Sequence, residues 1–62
     1  MPYLLRNVDT GAYFAGYSDN AAGYTSDEAK AYGFESANEA NFNKCSNEMV
    51  VYRPYRGVPV ND

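Results

Sequence analysis

The chain has no histidine, no tryptophan and a single cysteine among its 62 residues. One thiol, Cys45, closes no disulfide within the chain. Without histidine, the usual nitrogen and sulfur ligands of a zinc site are missing. The same shortage leaves Cys45 without a base to activate it as a nucleophile, and Lys44 beside it points elsewhere on a helix. A small buried residue is therefore its expected role. Basic residues are also few: five Lys and Arg stand against eight Asp and Glu, a net charge of −3. That balance is not the basic footprint of a general nucleic-acid binder. No apolar run approaches the ~20 residues of a membrane-spanning helix. Met1 to Arg6 lack the apolar stretch of a signal peptide. With a lone thiol, these features make the cytoplasm the expected compartment and give no expectation of membrane contact. Glycines 11, 16, 23, 33 and 57 are scattered and build no phosphate-binding loop, and no cofactor is expected.

Aromatics are what the chain does have. Seven Tyr and three Phe make up 16% of it. A domain this short buries only about 60% of the surface its unfolded chain exposes. Large rings are the economical way to fill such a core. Residues 3–8 and 13–18 read as strands joined by Asp9-Thr10-Gly11, a three-residue hairpin loop with Gly in the left-handed position. Pairing Val8 with Ala12 sets Tyr3 opposite Tyr17, Leu5 opposite Ala15 and Asn7 opposite Tyr13 on one face. Leu4 opposite Gly16 and Arg6 opposite Phe14 fall on the other. Apolar side chains occupy both faces, so the core face is open at this level, and each face is expected to be partly covered, one by a helix and one by a partner.

Thr25 and Glu28 have capping-box spacing and Gly33 is placed to stop a helix, which predicts one or two helical turns over 26–32. Ser36 with Glu39 is a second capping box, with the Ser hydroxyl taking the Glu39 amide and the Glu39 carboxylate reaching back to the Ser36 amide. A helix over 37–45 follows. Its apolar stripe is poor and three Asn lower its propensity. Residues 48–53 read as a third strand, ended by Pro54. The expected fold is a single α+β domain over 1–56, a three-stranded antiparallel sheet with one or two short helices on one face in the order β-β-α-α-β. Residues 57–62 read as an extended tail.

Tyr24-Thr25, Asp27, Ala31, Phe34, Ser36, Glu39-Ala40 and Phe42 resemble a pattern in small phage and prophage reading frames. There a hairpin precedes an aromatic residue and threonine, followed by alanine, phenylalanine and a serine-capped helix. The resemblance covers residues 3–52. The chain departs from it by placing Phe42 two residues after Ala40, where three is usual. The resemblance implies a virus-encoded accessory protein that inhibits or redirects a host protein, and it implies no site residues.

Three features invite a chemical reading. Asp9-Thr10-Gly11 spells the aspartic-protease triplet, but that chemistry needs paired carboxylates in a cleft, and turn chemistry accounts for all three residues. Asp27, Glu28, Glu35 and Glu39 cluster in sequence, yet all lie near helix starts, where the backbone dipole favours them. Tyr52-Arg53-Pro54-Tyr55-Arg56 sets arginines among tyrosines, and residues 49–60 carry +2 against −5 for the rest. Tyr and Arg dominate protein-binding hot spots and also stack on exposed bases. The plain alternative is a core Tyr52 with solvated arginines. Tyr52, Arg53, Tyr55 and Arg56, with Tyr13 and Tyr17 of the hairpin, are the candidate contact residues. The expected function is a non-catalytic interaction module that binds and modulates a host protein. A self-associating homodimer is the alternative, and a single-stranded nucleic-acid binder is a weaker one.

Overall fold

The computed structural model describes residues 2–18 and 21–55. Strands β1 (Tyr3–Asn7), β2 (Tyr13–Ser18), β3 (Ala21–Thr25) and β4 (Glu48–Tyr52) form one antiparallel sheet in the order β3-β2-β1-β4. A single 3-10 turn (Glu28–Lys30) and one helix, α1 (Ala37–Asn43), lie between β3 and β4. The α+β antiparallel class is as expected. The strand count is not: three strands were expected, and β3 makes the sheet four-stranded. Ala21, Ala22 and Gly23 carry little intrinsic strand signal, and they pair because β2 runs on far enough to template them.

The hairpin register also differs from the expectation, by one residue. Arg6 faces Tyr13, and the loop spans four residues rather than three. The cause is Asn7. Its side-chain Oδ1 accepts the amides of Asp9 (2.8 Å) and Thr10 (3.1 Å), while its backbone carbonyl accepts Gly11 N–H at 2.8 Å. Val8 gives its amide to the Asn47 carbonyl at 2.8 Å and so leaves the ladder with β2. Gly11 holds the turn at φ 80°, as the sequence predicts for that position.

This shift puts Leu5 and Phe14 on one face. Beyond the turn, β1 and β2 separate, and the segment from Tyr32 to Phe34 fills the gap. Tyr32 N–H donates to the Phe14 carbonyl at 2.8 Å, and Phe34 exchanges backbone bonds with Tyr3 at 2.7 and 3.3 Å. The core on this face comprises Leu5, Phe14, Phe34 and Ala40, with Tyr3 and Val50 packed against it. Helix α1 lies over β1 and β4 here. Ser36 caps it by accepting the Glu39 amide at 3.1 Å. The helix stops at Asn43, short of the expected Cys45, and Cys45 is exposed rather than buried. Lys44 is already extended, so Cys45 has left the helix face that Ala40 buries.

The opposite face carries Leu4, which is fully buried. Strand alternation puts Tyr13, Val51 and Arg53 on the same side. The 3-10 turn covers this face through Glu28, whose carboxylate accepts from Tyr13 Oη at 3.2 Å and pairs with Arg53 Nε at 3.3 Å. Asp27, not Thr25, caps that turn, accepting the Ala29 amide at 3.0 Å. The Thr25 hydroxyl instead takes the Asp27 amide at 3.1 Å, which moves the cap two residues along. The helical segments therefore sit on opposite faces, not one, and the chain itself covers both. The 57–62 tail lies outside the described residues.

Candidate functional site

Helix α1 roofs only the β1–β4 half of the Leu5 face. Among the described residues, no helix covers that face over β2 and β3, and aromatic rings collect there. The device that collects them is a bulge in β2. Phe14 pairs with Tyr24 and Tyr17 with Ala22, so Ala15 and Gly16 together oppose Gly23. Gly16 takes φ 96°, a left-handed value that a residue with a Cβ adopts only under strain. In a regular strand, residues three apart face opposite sides. The extra residue brings Tyr17 back to the side of Phe14, and their rings meet edge to face at 5.2 Å.

Phe14 is the hub. It stacks on Phe34 with centroids 6.2 Å apart and planes 14° apart, and it meets Tyr32 at 5.9 Å and Tyr24 at 6.3 Å. Tyr32 in turn packs on Phe34 at 4.9 Å. These contacts leave a half-open cleft of about 160 Å³ lined by Phe14, Gly16, Tyr17, Tyr32 and Phe34. Glu39 and Asn43 of α1 complete the lining. Glu39 and Asn43 are one helical turn apart and so share a helix face. Tyr17 is 72% exposed.

Among the described residues, the one charged side chain of the lining is that of Glu39. The expected return bond from the Glu39 carboxylate to the Ser36 amide is not made, and only the forward half of the capping box forms. Among the described residues, no hydrogen bond or ion pair engages that carboxylate. Asn43 donates Nδ2 to the Glu39 carbonyl at 2.8 Å, which leaves its Oδ1 as acceptor. Among the described residues, no Lys or Arg lines the cleft.

A second carboxylate, Glu48, is 5% exposed. It accepts from Tyr24 Oη at 2.5 Å and from the Cys45 amide at 2.6 Å. The hydrogen bond to this carboxylate, aided by desolvation and the Glu48 charge, pushes the Tyr24 phenol from 10.0 up to about 12. The pair ties β3 to the start of β4 and is a structural clamp.

The residues singled out from the sequence do not converge. Tyr13 and Arg53 meet through Glu28 on the Leu4 face. Tyr52 packs beside Tyr3 at 5.2 Å on the other face, at the β4 edge. Tyr17 stands on that face too, but across the sheet on β2. Tyr55 is 76% exposed beyond the end of β4. Arg56 lies outside the described residues. Of the five described, only Tyr17 belongs to the cleft. Sequence reasoning passed over Tyr32 and Asn43, and it assigned Glu39 to the helix cap alone. The one signal for them was Gly16 inside a strand pattern, which marks a bulge or a close approach.

Among the described residues no group of His, Cys, Asp and Glu is placed to hold a metal ion, and no helix is long and apolar enough to cross a membrane. No family model, curated protein or solved structure matches the chain.

Proposed function

We propose that this protein is a non-catalytic interaction module, a phage-type accessory protein that binds and modulates a host protein, and that its contact surface is the open aromatic half of the Leu5 face. The observation that carries this reading is the bulge at Gly16. It interrupts the regular ladder of a strand and keeps Tyr17 on the ring-lined side, where the ring remains 72% exposed. Burial alone does not account for it. Exposed, pre-positioned tyrosines are a recurrent anchor of protein contacts, since they bring large area at little entropy cost.

The test is a pull-down from bacterial lysates with the wild-type chain and a Tyr17→Ala variant in parallel. A protein retained by the wild type and lost from the variant supports the reading. Identical retention by both sinks it.

Self-association is the second reading, favoured by the β3 edge. Residues Ala21–Thr25 carry neither a charge nor a proline, the usual guards of an open strand. A second copy pairing along that edge predicts a dimer by sedimentation at micromolar concentration, abolished by Ala22→Pro. A strict monomer excludes it.

A further inference from the structure

The cleft brings together aromatic side chains, Tyr17 and Tyr32 among them exposed, and the carboxylate of Glu39, and no cation among the described residues lines it. We propose that it receives a cationic side chain, the guanidinium of an arginine on the partner protein. This deepens the contact-surface reading and rests on it.

A planar cation over aromatic faces is attracted by the ring quadrupoles, and guanidinium also stacks on them. Tyr17 and Tyr32 bring exposed rings to the lining. Glu39 brings a carboxylate to it. That carboxylate is not engaged by the helix cap whose spacing it satisfies, nor by any ion pair among the described residues. Asn43 Oδ1 adds a neutral acceptor one turn further along α1. Arg presents five N–H donors and no acceptor, which suits the Glu39 carboxylate, the one charged group that the described residues bring to the lining. An anionic or purely apolar occupant would leave the Glu39 charge without a partner. The chain's net charge of −3 adds attraction at longer range.

The experiment is an amide-shift titration of isotope-labelled protein with three blocked tripeptides, Gly-X-Gly, in which X is arginine, lysine or citrulline. Citrulline keeps the shape of arginine without its charge. The arginine peptide is expected to shift the Gly16, Tyr17, Tyr32 and Glu39 amides saturably, and the citrulline peptide to bind markedly more weakly. Binding of the lysine peptide upholds the cation and assigns the site to ammonium as well. Tyr17→Leu, which keeps bulk and removes the ring, and Glu39→Gln are each expected to weaken arginine binding about two- to five-fold. Both positions are exposed, and the dispersion of the amide spectrum reports that each variant is folded. Equal binding of citrulline and arginine overturns the assignment, as does a response to arginine confined to amides outside the cleft. Should arginine fail while the Tyr17-dependent capture succeeds, the cation falls and the contact surface stands. Failure of both removes both.

Discussion

Glu48 shows how a single residue acquires a role that no local pattern gives it. It opens a strand, where an acid has no propensity advantage, yet it is almost fully buried and receives the Tyr24 hydroxyl from 24 positions earlier in the chain. A charged acceptor holding a phenol favours the protonated phenol. Tyr24 is therefore raised to about 12 in the folded chain, against 10.0 for an ordinary tyrosine. A group whose pKa is raised by folding contributes stability that is complete below the unfolded value. The contribution of this pair is present below pH 10.0 and fades as pH climbs toward 12. Titration of tyrosinate absorbance in the folded protein should show one late-ionising ring, absent from Tyr24→Phe. In Glu48→Gln the acceptor stays but the charge goes, and the late ring should move back toward 10.0; a late ring unmoved by either change would assign it elsewhere. Ser36 makes the contrast. Its cap on the Glu39 amide was legible in the sequence because donor and acceptor are three residues apart. The bonds of Glu28 to Tyr13 and Glu48 to Tyr24 span the fold and leave no trace in local spacing.

At the scale of elements, β2 is the informative case. Its hairpin partner was legible from alternation and from the Asp-Thr-Gly turn, but its register was not. The Asn7 side chain captures two loop amides and moves the pairing by one position, and a one-residue slip exchanges the faces of every side chain. The aromatic cleft was hidden by a separate irregularity, since a straight strand sets Tyr17 on the face opposite Phe14 and the bulge between them does not. Gly16 restores them to one side, and two substitutions separate its backbone role from the space around it. A Cβ at Gly16 would lie 3.6 Å from Tyr32 Cδ2, and one at Gly23 would lie 3.5 Å from the Gly16 carbonyl oxygen, both ordinary contacts. Only Gly16 has the left-handed φ. Gly16→Ala should therefore cost about 1–2 kcal/mol in urea unfolding. Gly23→Ala should be neutral or stabilising by up to about 1 kcal/mol, through a less flexible unfolded chain. Equal losses at both positions would mean that space, not backbone conformation, holds the bulge.

For the molecule as a whole, β1 decides how the two faces share their stability. It is bonded to β2 near the turn, to Phe34 at Tyr3, and to β4 along its full length. Its neighbours Leu4 and Leu5 are the two largest side chains that are fully buried, and they point to opposite faces. Leu5 anchors the layer of Phe14, Phe34 and Ala40. Leu4 lies on the face closed by the 3-10 turn, where Glu28 links Tyr13 of β2 to Arg53 beyond β4. Neither layer has a backbone of its own, because each is built on the same strand. Loosening one face must then loosen the other. Leu4→Val and Leu5→Val each remove one buried methylene, worth about 1 kcal/mol. With a urea dependence of roughly 1 kcal/mol per molar, as for small domains, each should lower the unfolding midpoint by about 1 M. Tyrosine near-ultraviolet dichroism follows the aromatic face, and far-ultraviolet dichroism follows the whole backbone. In both variants the two signals should still fall together, as one cooperative transition. If Leu5→Val melted the tyrosine signal ahead of the backbone while Leu4→Val did not, the aromatic face would be a separable layer. The cleft would then be free to loosen without unfolding the sheet beneath it, and the pre-positioning argued for Tyr17 would be lost.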